Sequence, residues 1–163
     1  MIVREATEKE IKDVWRLTYD VYLKEGYCGF RRDGILRHYD LDLIPETTVL
    51  VTYQDSILQG TNSLTADGPR GLHVDYAFKP VVDEIREECY ASQRKLAAAW
   101  RILTRPTNRQ SLLIVLSLID ATIKKAIDVG VLTALFTFNP GFISISSPIF
   151  NFPFFNIPPK TPP

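Results

Sequence analysis

Two runs rich in β-branched residues, Thr48 to Tyr53 and Ile57 to Leu64, are separated only by Gln54, Asp55 and Ser56. Such side chains fit a pleated surface, and so short a polar break leaves room for little but a tight reversal. An antiparallel hairpin is therefore expected within residues 46–78, and with it a sheet that the rest of the chain must cover. Gly60, inside the second run, predicts a bulge or a close approach to the backbone. The cluster Asp67-Gly68-Pro69-Arg70-Gly71 predicts a sharp loop at a strand end, where a binding rim can form.

The flanking segments supply the cover. Ile2 to Arg4 reads as a short strand, and Thr7 with Glu10 has the spacing of a capping box that opens a helix. Ile11, Val14, Trp15, Thr18, Val21 and Tyr22 then recur at helical spacing, while Glu8, Lys12, Asp13 and Arg16 mark the wet side, and Gly26 ends the helix. After the hairpin, Pro80 is expected to start a short helix through Val81 to Glu88. Tyr90 to Leu103 is expected to hold strand. Following the Pro106-Thr107-Asn108 break, Leu112, Leu116, Ile119, Ile123 and Ile127 predict a second amphipathic helix, with Lys124 and Lys125 in its last turn and Gly130 just beyond. Leu132 to Phe138 reads as a buried strand. The order β, α, β, β, short helix, β, α, β implies an α/β (α+β) fold with a mixed central sheet flanked by helices.

Nineteen basic and nineteen acidic residues cancel. No global field then attracts nucleic acid. Two cysteines, Cys28 and Cys89, without a CxxC pair, and two histidines, His38 and His73, make neither a disulfide framework nor a zinc set. The opening MIVREATEKE lacks the apolar stretch of a signal peptide, and no apolar run is long enough to span a bilayer. A cytoplasmic protein of 163 residues with one principal domain is expected.

Local features carry the chemistry. Asp40 and Asp42, two residues apart, would share one side of an extended chain and could bind an amine. The loop holding Tyr27 and Phe30, next to Tyr22, has the glycine and aromatic content of a pocket wall. From Cys89 to Ile119 there is no acid, whereas Arg94, Lys95, Arg101, Arg105 and Arg109 are basic, so this window is expected to meet an anion near a helix N-terminus. Residues 139–163 break with the rest: they contain seven of the eleven prolines, five of the nine phenylalanines and one charge, Lys160. That tail is set apart from residues 1–138 and expected to stand in place of a lost final helix and strand.

The series Leu17-Thr18-Tyr19-Asp20-Val21-Tyr22, Glu25-Gly26-Tyr27, Tyr39-Asp40, Gly60-Thr61-Asn62-Ser63-Leu64 and Asp67-Gly68-Pro69-Arg70-Gly71-Leu72 resembles the N-acyl amino acid synthases. These are GNAT-type acyltransferases related to the acyl-homoserine-lactone synthases, and the resemblance extends over about residues 1–140. It implies a GNAT-like sheet, incomplete at the C-terminus. It also implies transfer of a fatty acyl group from the phosphopantetheine of an acyl carrier protein, or from coenzyme A, to the amine of an amino acid, with no tightly bound cofactor. The arm would wedge between the fourth and fifth strands, about Ala91 to Ala99 and Leu132 to Phe138, and strand amides would stabilise the oxyanion. On this reading Asp40, Asp42 and Ser92 are the catalytic candidates. Arg94, Lys95, Arg101, Arg105 and Arg109 face the donor, and Tyr22, Tyr27, Phe30, Asn62 and Leu64 line the pocket. Thr18 and Ser92 replace an arginine and a glutamate of the family pattern, and the lack of a Gly-rich loop between Trp100 and Ser111 favours a carrier-protein donor. A signal synthase using S-adenosylmethionine, or a non-catalytic acyl- or carrier-binding module, are the alternatives.

Overall fold

The computed structural model describes residues 2–37, 39–105 and 110–136, the side chains of Tyr39 and Asp40 excepted. A five-stranded sheet runs in the order β1 (Val3–Glu5), β2 (Thr47–Gln54), β3 (Ile57–Ala66), β4 (Lys95–Thr104), β5 (Val131–Phe136). The first three junctions are antiparallel and the last, β4 with β5, is parallel. Helices α1 (Ile11–Lys24), α2 (Tyr39–Asp42), α3 (Asp75–Ala91) and α4 (Ser111–Asp128) complete the described chain.

The hairpin forms as its residues dictate. Asp55 and Ser56 both adopt left-handed φ values, 49° and 63°, the conformation that a two-residue turn needs to match the twist of its strands. Gly60 meets both of its expectations. The pairing slips between Thr52 and Tyr53, so that Gln59 bulges, and α4 passes so close that a Cβ on Gly60 would lie 2.6 Å from Ile114 Cγ2.

Alternation along the strands separates two layers. Val49, Val51 and Leu58 pack on Ile11, Val14 and Leu17 of α1. Leu96 and Ala98 pack on Val82 and Cys89 of α3, on that same face. The other face takes α4: Leu50 meets Ile114 and Leu118, while Leu64, Ala97 and Ala99 meet Ala126. The α4 crossover thus joins the two parallel strands from one side of the sheet.

Three expectations require correction. Pro80 does not start α3 but lies within it. Lacking an N–H and crowding the preceding turn, it instead coincides with a kink at Phe78 (φ −130°, ψ 24°). Tyr90 and Ala91 belong to that helix, so β4 begins four residues later than Ala91, and its companion strand is Val131–Phe136. Residues 39–42 are helical, so Asp40 and Asp42 do not share the side of an extended chain. The proline-rich tail, like Arg109, lies outside the described residues.

Candidate functional site

The sheet is irregular at one place that matters chemically. Ser63 pairs with Trp100 and Thr61 with Leu103, so Asn62 alone faces two residues of β4, Arg101 and Ile102. This is a β-bulge, and Arg101 occupies it with φ 58°, a left-handed conformation that costs a non-glycine residue about 1 kcal/mol or more. The bulge turns two consecutive side chains, Trp100 and Arg101, to the α1 face, after which Ile102 returns to the α4 face. The parallel ladder with β5 ends just before it, at Ala99 and Phe136 among the described residues. In parallel α/β units the carboxyl ends of the strands and the N-terminus of the crossover helix converge on ligands.

A buried polar cluster surrounds the bulge. Arg101 Nη1 and Nη2 donate to the two carboxylate oxygens of Asp42 at 2.8 and 2.6 Å, and Nη2 also donates to Ser63 Oγ at 2.7 Å. Both side chains are fully buried, 0% exposed. Trp15 Nε1 adds a third donor to Asp42, at 2.6 Å. The Arg101 guanidinium lies over the Trp100 ring at 4.6 Å, and Trp100 Nε1 donates to Thr65 Oγ1 at 2.9 Å. The His73 ring stands 5.4 Å from that of Trp100. Tyr22 borders the same cluster: burial raises its hydroxyl pKa above the ordinary value, against the nearby Arg101 charge, which lowers it.

The loop bearing His73 is itself clamped. Arg86 of α3 reaches Asp67 with Nε at 2.7 Å and Asp75 with Nη2 at 2.9 Å. Burial pushes the Asp75 carboxyl up, but the Leu72 N–H and Arg86 outweigh it and hold the pKa below its usual value.

The sequence candidates divide around this geometry. Asp42 is central, with both oxygens taken by Arg101, so it anchors a cation instead of standing as a free base. Arg101 is no donor-facing surface group: its charge is neutralised inside the fold. Ser92 is displaced altogether. It caps the C-terminus of α3 in the turn before β4, exposed and at the far end of the strand from the bulge. Arg94, bound to Glu88 at 3.0 Å, and Lys95, donating to the Val129 carbonyl at 3.1 Å, sit at that same remote end. They line a cavity of about 270 Å³ shared with Arg86 and Tyr90, whereas a larger one of about 440 Å³ lies between α4 and Val3 of the edge strand β1. Arg105 follows the last residue of β4 and donates Nε–H to the Leu58 carbonyl at 3.0 Å, at the end nearest the start of α4. The basic window is thus two separated groups with a buried pair between them. Tyr22 and Tyr27 meet edge to face with centroids 5.7 Å apart. Phe30 is 81% exposed, Asn62 and Leu64 are buried, and Leu64 packs in the α4-side core.

Reading the sequence did not single out the Trp15–Asp42–Arg101–Ser63 connection. Its members are 86 residues apart at the extremes, and each looks ordinary alone. Asp42, before the hairpin, and Arg101, in the acid-free window, were each signalled locally, but not as partners.

The chain matches the family model described as N-acyl amino acid synthase FeeM over residues 13–153. Among solved structures it is similar to FeeM, an N-acyl amino acid synthase from uncultured soil microbes, with 19% identity and a TM-score of 0.74 over 90% of this chain and 75% of that one. It is also similar to an acetyltransferase from Trypanosoma brucei, with 10% identity, TM-score 0.64, and 99% and 98% of the two chains covered. A Clostridium acetobutylicum acetyltransferase with acetyl-CoA gives 12% identity and TM-score 0.57 over 95% and 91%. No curated protein matches the chain. The mixed sheet, its flanking helices and these neighbours define a GNAT acyltransferase fold.

Proposed function

The chain belongs to the N-acyl amino acid synthase FeeM family and is an N-acyltransferase, and from that premise we propose that it moves a fatty acyl group from a phosphopantetheine thioester to the amine of an amino acid. The donor in this reading is an acyl carrier protein or acyl-coenzyme A, and the reaction takes place in the cytoplasm. The observation that supports it is the β4 bulge, just beyond the last described pair of the parallel ladder with β5 and beside a buried polar cluster. A thioester carbonyl placed at the bulge would meet backbone N–H groups released from strand pairing. Fixed amides aimed at the developing oxyanion lower the barrier without having to reorganise.

The acceptor ammonium first loses a proton; its nitrogen then forms a bond to the carbonyl carbon. The C–S bond breaks as the nitrogen gives up its second proton, and that proton passes to the departing thiolate. Asp42 is committed to Arg101, so its contribution is to hold that arginine, and hence the bulge, in place. Asp40, two residues earlier in α2, is the carboxylate to which we assign recognition of the amine or removal of its proton. Tyr22, Tyr27 and Phe30 shape the acceptor side. Arg105, just after β4, and Arg109 are assigned to the donor phosphate or to an acidic carrier.

Mass spectrometry of organic extracts from expressing cells tests the proposal. N-acylated amino acids absent from control cells are expected. Acyl lactones in their place would indicate the signal-synthase chemistry, and neither product from folded protein would refute transfer.

A further inference from the structure

Helix α3 ends on a residue that its geometry disfavours. The Arg94 N–H donates to the Cys89 carbonyl at 2.8 Å and the Gln93 N–H to the Tyr90 carbonyl at 3.0 Å, the two bonds of a Schellman motif. The left-handed position of that motif falls to Gln93, at φ 53°, where glycine would carry no strain. Strain kept at a residue with a side chain points to a use for the side chain. Gln93 lines the cavity of about 270 Å³ between the end of α3 and the start of β4.

The walls of this cavity are of two kinds. Ala66, Cys89 and Leu96 give it an apolar side, and the last two belong to the core beneath α3. The polar side has no acid to spare among the described residues. Its one carboxylate, Asp67, already accepts from Arg86 Nε at 2.7 Å, from Arg86 Nη2 at 3.1 Å and from the Tyr90 hydroxyl at 3.4 Å. Arg86 is engaged in turn by Asp67, Asp75 and Asp83. Arg94 keeps a spare donor. Its Nη2 reaches Glu88 at 3.0 Å, but its Nε–H is buried with no hydrogen-bond partner among the described residues. Native structures rarely leave such a donor unpaired, because the lost hydration is not recovered. The Glu88 side chain is 74% exposed, so that pair holds the guanidinium only weakly.

We infer that this cavity binds a small organic carboxylate, with its apolar body against Leu96 and Cys89 and its carboxylate accepting from Arg94 Nε–H and the Gln93 side-chain amide. An anion suits a wall whose spare groups are donors, and charge assistance strengthens the bond. An apolar body suits a wall of carbon and sulfur. The volume lies just below the ~300–1,000 Å³ usual for ligand pockets, which limits the guest to a few carbons. Arg94 precedes the Arg101 bulge by seven residues, roughly 20 Å along the strand, so this site is separate from the one assigned to acyl transfer and does not depend on that assignment.

Hexanoate is the probe, titrated into the full chain and followed by heteronuclear NMR, in which arginine Nε–H groups give signals of their own. The Arg94 Nε–H and the backbone amides of Tyr90 and Leu96 should shift and saturate at roughly millimolar hexanoate, as suits so small a ligand. Hexanol at the same concentrations should leave them in place. Arg94→Lys keeps the charge but has no N–H at that position, and should weaken binding about tenfold, the scale of one charge-assisted hydrogen bond. Gln93→Gly relieves the left-handed strain, so its thermal midpoint should rise while hexanoate affinity falls several-fold. A glutamine without a part in binding would give the first change and not the second. Hexanoate affinity unchanged in both variants, or no saturable shift in the unaltered protein, would overturn the inference. Inorganic phosphate shifting the same signals as strongly as hexanoate would overturn the organic ligand and leave a plain anion site. Loss of acyl transfer in any of these proteins bears on the other site alone.

Discussion

At Gly60 the missing side chain is what lets α4 lie on β3. A Cβ there would approach Ile114 Cγ2 to 2.6 Å and the Leu103 carbonyl oxygen to 3.0 Å, and the second is backbone that cannot swing aside. Gly60→Ala should therefore destabilise by about 1–3 kcal/mol in urea unfolding, as overpacked positions do. Asp42 and Arg101 pose the opposite problem, a pair costly to bury and costlier to break. Replacing Asp42 by Asn leaves an uncompensated guanidinium in the interior, and a loss of about 3–5 kcal/mol is expected in the same measurement. Were the pair only a surface contact, the change would fall below about 1 kcal/mol.

Local elements followed their own chemistry where neighbours in sequence decided it. The capping box at Thr7 and Glu10 is present, but it opens a short 3-10 turn, Glu8–Glu10, that leads into α1. The Arg4 hydrogen bond, then the Thr7 N–H, hold the Glu10 carboxyl down to about 2 from an ordinary 4.5. A folded-state pKa below the unfolded one means that the unfolded chain binds the proton first on acidification. The stabilisation is present above about 4.5 and fades as pH falls toward about 2. Glu10→Gln should flatten that part of the stability–pH curve and leave the neutral region's slope unchanged. Helix α4 shows the limit of periodicity. The stripe Leu112, Leu116, Ile119, Ile123, Ile127 has helical spacing, yet Leu112, Ile123 and Ile127 are exposed and the sheet is met by Ile114, Leu118, Ile119, Thr122 and Ala126. A helix apolar on several sides has more than one possible phase, and only close approach at Gly60 and the small alanines of β4 select one. Ile127→Lys should accordingly change the unfolding midpoint little, whereas Leu118→Ala should lose about 2–5 kcal/mol.

Across the whole molecule, the basic window becomes a question of strand length. Arg94 and Lys95 precede or begin β4 and Arg105 follows it; a ten-residue strand rises about 3.3 Å per residue and holds them roughly 30 Å apart. One donor phosphate cannot engage both ends. Arg105→Glu should raise KM for an acyl-carrier-protein donor several-fold and weaken its salt dependence, while Arg94→Glu should leave both as they were; equal effects would reverse this division. The hairpin, its turn, the order of strands and helices, and the family resemblance were determined by the sequence itself, because β-branched runs, capping residues and glycines act on neighbours a few positions away. The site was decided only by tertiary structure. Trp15, Asp42, Ser63 and Arg101 come from a helix, a single helical turn and two strands, and no spacing along the chain signals that they meet. An extra residue in β4, visible only once β3 lies beside it, turns Arg101 inward to Asp42.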